Sequence, residues 1–101
     1  MAAKNYTLNS YTNSTWTDLV TEAAIIASVV IANTDASNVI TFEIRIDDGA
    51  GTEVARIVPP SEIEQNTSQT LDMRSIVVEA GQRIQVKAGT AGLHFTASGD
   101  A

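Results

Sequence analysis

The sequence contains no cysteine, and this absence excludes disulfide bonds and thiolate metal sites. Basic residues are few: six Lys and Arg stand against twelve Asp and Glu, which gives a net charge of −6 at pH 7. Because a nucleic-acid backbone is bound by clustered Lys and Arg, we predict no nucleic-acid partner. No stretch approaches the roughly 20 apolar residues that span a bilayer, so we also predict no membrane partner.

The chain of 101 residues is long enough for one hydrophobic core and too short for two. Its first six residues include one Lys and no apolar core, so we expect no secretory signal and synthesis in the cytoplasm. Residues 1–14 are rich in Asn, Thr and Ser and are predicted to form an N-terminal arm or an edge strand. Residues 15–101 are predicted to form a single domain.

Alternation of apolar and polar residues is the main structural signal. It is clearest in residues 38–47, 83–88 and 93–98, where Ile, Val, Leu, Phe and Ala occupy every second position. Asp48-Gly49-Ala50-Gly51 is typical of a hairpin turn after the first of these strands. Further strands are predicted, less clearly, at residues 6–8, 15–20, 52–58, 69–74 and 76–79.

The run at residues 23–32 is apolar at almost every position, and its Ile and Val content favours a strand over a helix. Simple alternation puts Ile25, Ala27, Val29 and Ile31 on one face and Ala24, Ile26, Val30 and Ala32 on the other. Either the N-terminal segment or a neighbouring subunit then covers the second apolar face. Pro59-Pro60 is expected to end a strand or to lie at a sheet edge, with an interruption of the sheet after it.

Short strands at spacings of roughly 8 to 12 residues, with turn signals between them, are typical of a sandwich or barrel. We predict an all-β fold, an antiparallel β-sandwich of the jelly-roll or Ig-like type with about seven or eight strands.

Candidate catalytic residues are scarce. The single histidine, His94, is predicted on the outward side of a strand with no nucleophile motif nearby, so we favour a surface role for it. Asp47, Asp48 and Glu53 resemble a calcium loop in composition, but a hairpin turn explains them better. No glycine-rich phosphate loop occurs. We therefore predict no catalytic site, no metal and no cofactor.

Apolar and aromatic side chains outside the expected core are the candidates for contact with a partner. Tyr6, Leu8 and Tyr11 lie in the N-terminal segment, and Trp16, the only tryptophan, follows it. Large aromatic side chains are frequent anchors at protein interfaces. We predict that these four residues contact a neighbouring subunit.

Two segments carry a resemblance to known proteins: VVIANTDASNVITFEIRI, and LDMRSIVVEAGQRIQVKAG continuing to LHFTASGDA. They resemble small β-sandwich virion proteins of tailed bacteriophages, in which a strand ending in Ala-Gly leads to an alternating Ile/Val strand and a closing aromatic strand. Members of this group are head decoration or cement proteins and tail or neck components. The resemblance implies assembly in a virion rather than catalysis.

From this resemblance we expect a decoration protein that reinforces a phage head from outside. Its partners would be copies of itself, as a homotrimer or another oligomer, and the major capsid protein or another virion protein. The alternatives are a tail, neck or fibre component, including a glycan- or receptor-binding module. Trp16 and His94 are the candidate residues for such a module.

Overall fold

The computed structural model describes residues 2–11, 15–90 and 92–101. These residues form eight β-strands, and none of them lies in a helix that is long and apolar enough to cross a membrane. The strands are β1 (Ala3–Tyr11), β2 (Thr17–Val20), β3 (Ala24–Asn33), β4 (Ile40–Asp47), β5 (Glu53–Ile63), β6 (Thr67–Val78), β7 (Arg83–Ala88) and β8 (Leu93–Asp100).

The strands form two antiparallel sheets of four strands each. The first sheet has the order β1-β8-β3-β6, and the second has the order β2-β7-β4-β5. Successive strands change sheet at every connection except the β4–β5 hairpin, which is the strand order of a jelly roll. The predicted all-β sandwich is confirmed, and of its two predicted types the strand order is that of the jelly roll.

The core lies between the two sheets and consists of their inward-facing side chains. The predicted inward positions of β4, β7 and β8 are all buried, which confirms the alternation in these three strands. Full burial of one such side chain contributes about 1.5–3 kcal/mol. The largest fully buried side chains are Phe42, Phe95, Ile26, Ile31, Ile40, Ile44, Ile63, Ile84, Leu93, Val20, Val29 and Val78.

A bulge in β3 makes the predicted assignment of its two faces wrong. The register of β3 shifts between Ile26 and Ser28 on both sides of the strand, and Ala27 is exposed there. An extra residue in a strand reverses the alternation that follows it. Ile26 and Val29 are therefore buried together, although simple alternation separates them.

The structure bears out the sheet-edge alternative predicted for Pro59-Pro60 and corrects the other predictions for residues 59–79. β5 continues through Pro59 and Pro60 as an edge strand of the second sheet, where a missing N–H donor costs no ladder hydrogen bond. The sheet is therefore not interrupted directly after the prolines. The two strands predicted at residues 69–74 and 76–79 are one strand, β6, with positive φ angles at Arg74 (47°) and Ser75 (69°). These two residues form a bulge opposite the bulge of β3.

β1 is an edge strand of the first sheet and pairs antiparallel with β8 from Ala3–Asp100 to Tyr11–Leu93. Its inward side chains, Tyr6 and Leu8, pack against the core. Residues 12–14, the end of the segment predicted as an arm or edge strand, lie outside the described residues.

Candidate functional site

The outer side of the second sheet carries most of the basic residues of the chain. Charged and polar side chains alternate with the core residues of β7 and β4, and cross-strand pairing places them in rows with those of β2 and β5. We call this surface the charged face. It consists of Trp16, Asp18, Glu43, Arg45, Asp47, Glu53, Arg56, Arg83, Gln85 and Lys87.

Ion pairs join neighbouring strands of the charged face at both edges of the sheet. Arg56 contacts Glu43 at 2.6 Å and Glu53 at 2.7 Å, and these contacts raise the pKa of its guanidinium, with the Glu53 hydrogen bond as the main cause. Arg83 contacts Asp18 at 2.6 Å. The arginines of this face therefore already have carboxylate partners within the chain.

A second chain of contacts crosses the middle of the charged face. Gln85 donates a hydrogen bond to Asp18 at 2.9 Å and accepts one from Arg45 at 2.9 Å. Arg45 in turn lies 3.3 Å from the buried carboxylate of Asp47. These links connect β2, β7 and β4, which supports the sheet from its outer side.

Trp16 packs on the basic side chains of the charged face and not in the core. The centre of its ring is 4.4 Å from the Arg45 guanidinium, 5.1 Å from that of Arg56 and 5.4 Å from the Lys87 ammonium. The side chain is only partly exposed. Such cation–π contacts stabilise by about 0.5–1 kcal/mol each at exposed sites. Trp16 thus holds the segment before β2 against the outer side of the sheet.

The ten residues of the charged face are electrically balanced, whereas the rest of the molecule, which includes Glu62 at the end of the same side, is acidic. Four Lys or Arg and four Asp or Glu lie on this face, so the remaining two basic and eight acidic residues carry the whole net charge of −6. One of these two basic residues, Lys4, is paired with Glu22. The other is Arg74, in the β6 bulge.

The outer side of the first sheet has the opposite character. Threonine, serine and aliphatic residues line it, with two carboxylates, Asp72 and Asp100, and no Lys or Arg in the set below. A central row crosses all four strands through Thr7, Thr96, Val30 and Thr70. We call this surface the neutral face. It consists of Asn5, Thr7, Ile25, Ser28, Val30, Ala32, Ser68, Thr70, Asp72, His94, Thr96, Ser98 and Asp100.

The predicted contact residues do not lie together on one surface. Tyr6 and Leu8 face inward from β1 and are partly buried, whereas Trp16 lies on the charged face. The side chain of Tyr11 lies outside the described part of the structure. His94 projects outward from β8 on the neutral face, so the structure places it on the opposite side of the sandwich from Trp16.

The hydroxyl of Tyr6 donates a hydrogen bond to Glu22 at 2.8 Å. Burial, followed by this hydrogen bond, raises the pKa of Tyr6 to about 12. The contact therefore stabilises the fold fully below pH 10 and is lost as the pH rises towards 12. Hydrogen bonds from Lys4 and, second, from Tyr6 lower the pKa of Glu22. The contribution of ionised Glu22 to stability is therefore lost only when the pH falls below the ordinary value of 4.5.

An absorbance titration of the tyrosinates at 295 nm tests this placement. We expect wild-type protein to show a component that ionises near pH 12, because burial and, second, the bond to Glu22 oppose deprotonation of Tyr6. The Tyr6→Phe variant should lack that component. A Glu22→Gln variant keeps the ring and should shift the same component towards pH 10; an unchanged titration in both variants would refute the contact.

Two of the three residues that resemble a calcium loop, Asp47 and Asp48, serve the β4–β5 turn. Asp47 accepts hydrogen bonds from the N–H groups of Gly49 and Gly51, and Asp48 accepts them from Ala50 and Thr52. The Ala50 bond is the main cause that lowers the pKa of Asp48. Among the described residues there is no group of three or more His, Cys, Asp or Glu placed to hold a metal ion, and no pocket is found.

The sequence pattern predicted some of the residues of the charged face. The alternation in residues 38–47 and 83–88 placed Glu43, Arg45 and Lys87 on outward sides. It gave no sign that Trp16 would lie over them, because strand order is not encoded in a local pattern. The sequence does show one sign of this face, since four of the six basic residues occupy outward positions of three strands.

No protein-family model matches the sequence, and no curated protein matches it either. Solved structures match its fold. A chain of the infectious bursal disease virus T13 particle has a TM-score of 0.52 and 8% identity over 98% of this chain and 31% of the viral chain. Eiger TNF from S. frugiperda has a TM-score of 0.56 and 11% identity over 98% of this chain and 91% of that one.

A pentameric capsid protein from metagenomic phage sequences has a TM-score of 0.49 and 16% identity, over 97% of this chain and 59% of that chain. The chain thus spans less than two thirds of the two viral chains. At these identities the matches show the fold alone. The fold and surface together define a small jelly-roll protein with one neutral and one charged outer face.

Proposed function

We propose that the chain is a structural subunit of a virus particle, which binds copies of itself and other particle proteins through the surfaces of its sandwich. The observation that carries the proposal is the neutral face, a four-stranded surface that lacks Lys and Arg in a chain with 18 charged residues. Depletion of charge distinguishes the centre of a protein interface from the remaining surface.

The neutral face also combines apolar area with groups that pair across an interface. Ile25 and Val30 are partly exposed on it, among threonine and serine hydroxyls. Burial of such area contributes about 25 cal/mol per Å². In a particle the same small contact recurs at every copy. A modest contact is therefore sufficient to reinforce a shell.

The finer role that we propose is decoration of a bacteriophage head, with the chain bound to the major capsid protein or another virion protein. The resemblance of its strands to small virion proteins supports this role. The infectious bursal disease virus chain, which has the same fold, belongs to a virus particle. Tail and neck components are the alternative places for such a subunit.

Sedimentation velocity and negative-stain imaging of the purified chain test the proposal. We expect oligomers of defined size in wild-type protein, and Thr96→Lys, which puts a charge at the centre of the neutral face, should shift them towards the monomer of 10.7 kDa. Thr41→Lys is the control, because Thr41 is exposed on the second sheet. A monomer at every concentration would contradict the proposal, and rings or tubes would favour a tail or neck position.

A glycan-binding module is the second candidate, and the observation in its favour is the position of Trp16 at the surface beside Arg45 and Lys87. His94 does not contribute to the same site, because it lies on the other sheet. A glycan array separates the two functions. Decoration predicts no saccharide signal, whereas a glycan module predicts one that Trp16→Ala abolishes.

A further inference from the structure

The sandwich has four sheet edges, and three of them carry features that discourage strand addition. β5 has two adjacent prolines, β2 has only four residues, and β1 has Lys4 within its pairing stretch and a register irregularity after Leu8. Prolines, short strands, lysines and irregular pairing are the usual protections of exposed edges. They keep the backbone donors and acceptors of an edge from pairing with another chain.

The fourth edge, β6, lacks these protections in its first half. Residues 67–72 pair with β3 in unbroken register from Thr67–Asn33 to Asp72–Ser28, without proline, glycine or lysine. Residues 67–71, TSQTL, are uncharged. All six residues except Leu71 are exposed. An exposed, regular and uncharged edge is a template for another strand.

The basic residues that remain available to a partner are few. Lys4, Arg45, Arg56 and Arg83 each have a carboxylate within 3.3 Å, and Lys87 lies over the Trp16 ring. Arg74 has an 88% exposed side chain, and its nearest carboxylate among the described residues, that of Asp72, is 3.8 Å away. Two copies that each carry a charge of −6 repel each other, so a contact between them gains most from Arg74.

Antiparallel pairing of β6 with β6 of a second copy brings Arg74 to a carboxylate. With Gln69 on the two-fold axis, the uncharged residues 67–71 pair with the same residues of the second copy, so that Ser68 lies opposite Thr70. Arg74, in the bulge, then lies towards the turn before β6 of the second copy, which contains Glu64. Glu64 is exposed and has no ion pair with a described residue. Symmetry repeats the approach, which brings one Arg74 and one Glu64 together at each end of the uncharged segment.

Other alignments that keep side chains on their own faces are less favourable. An axis at Ser68 pairs only residues 67–69 within β6 and brings the turn that contains Glu64 towards Asp72 of the second copy. An axis at Thr70 brings the charged Asp72 into the paired stretch, opposite Ser68. A shift by a single position would bring outward side chains opposite inward ones. The alignment centred on Gln69 therefore pairs the whole uncharged segment with itself and leaves Arg74 near the turn that contains Glu64.

We propose that β6 pairs antiparallel with β6 of a second copy about a two-fold axis at Gln69, which joins two first sheets into one sheet of eight strands. This contact deepens the proposed function, on which it rests for its role in assembly. The positive φ angles at Arg74 and Ser75 end the regular ladder there and bring the arginine out of the edge.

Cysteine cross-linking tests the axis directly, because the chain has no cysteine of its own. In the Gln69→Cys variant the two Cα atoms would be roughly 4.5–5.5 Å apart, within the range of a disulfide. Under mild oxidation we expect a covalent dimer of this variant. Thr67→Cys, on the same strand and face, is the matched control. The cysteines of the two copies would lie about four positions apart along the paired strands, too far for a disulfide.

A mixture of single variants tests the register. Ser68→Cys and Thr70→Cys should cross-link to each other when mixed, and much less when each is oxidised alone. Equal cross-linking of the Gln69→Cys and Thr67→Cys variants would overturn the proposed axis. Cross-linking within either single variant as efficient as in the mixture would overturn the register.

Charge reversal tests the ion pairs. Arg74→Glu should weaken dimerisation at low salt by about tenfold or more, and Glu64→Arg should do the same, because each brings like charges together. The double variant, with both changes, should restore the affinity. Both side chains are exposed, so circular dichroism should show intact folds. Unchanged dimerisation of both single variants would refute the pairing.

These measurements separate the contact from the function. Oligomers that form without a Gln69→Cys cross-link would refute the β6 contact and leave the proposed function standing. A cross-linked dimer that never associates further would support the contact and contradict the proposed assembly into a particle.

Discussion

Replacement of Gly99 by alanine is expected to lower the free energy of unfolding by about 3 kcal/mol and the melting temperature by roughly 10–20 °C. Gly99 lies in β8 between Lys4 of β1 and Ile26 of β3, next to the β3 bulge. A Cβ atom there would lie 2.0 Å from the carbonyl oxygen of Ile25 and 2.9 Å from the Cα of Ile26. Both neighbours are backbone atoms, so the sheet itself must move.

Gly89→Ala is the matched control for this prediction. Its Cβ would lie 2.6 Å from the hydroxyl oxygen of Thr41, a side-chain atom that turns away by rotation. We expect a loss of less than about 1 kcal/mol for this variant. Thermal melts followed by circular dichroism measure both changes. Equal melting temperatures for the two variants would show that the β3 bulge does not approach β8 as described.

Replacement of Asn33 by alanine is expected to cost about 2–3 kcal/mol of folding free energy. Asn33 is 2% exposed, and its amide donates to the carbonyl oxygens of Asn38 and Ile63 at 3.0 and 3.1 Å. The oxygen of the same side-chain amide accepts a hydrogen bond from the backbone N–H of Asp35. The alanine variant leaves the buried Ile63 carbonyl without this donor, and water does not readily reach it to compensate.

Asn38→Ala provides the comparison, because Asn38 is exposed and its side chain donates only to Asp35, at 3.2 Å. We expect a change within about 0.5 kcal/mol. Urea denaturation measures both variants, with the slope of unfolding free energy on urea as a check that the folded state stays compact. A cost for Asn33→Ala as small as that for Asn38→Ala would contradict the role of Asn33 as the link between β3 and β5.

Both predictions concern positions that no sequence pattern marked as important. Asn33 directly follows the apolar run at residues 23–32, and it is a buried residue that bridges two sheets. Gly99 follows the last predicted strand, at residues 93–98, and carries no turn signal of its own. Each matters because of a neighbour that lies 30 or more positions away in the chain.

The outer face of the second sheet and the β6 edge were likewise predicted only in part from the sequence. Alternation predicted which residues of β4 and β7 face outward, and those residues form much of the charged face. It did not predict that β2 lies beside β7, which is what brings Asp18 to Arg83 and Trp16 to Arg45. The β6 edge was also hidden, because residues 69–79 were predicted as two strands and not as one.

The sequence by itself determined the all-β class, the clearest strands and the inward side of each of them, since side-chain alternation and turn residues act over a few neighbouring positions. The tertiary structure decided the jelly-roll order, the bulges at Ala27 and Arg74, and the character of the two outer faces. These features depend on pairing between distant strands. Such pairing is selected by the packing of the whole core and is not written in any local segment.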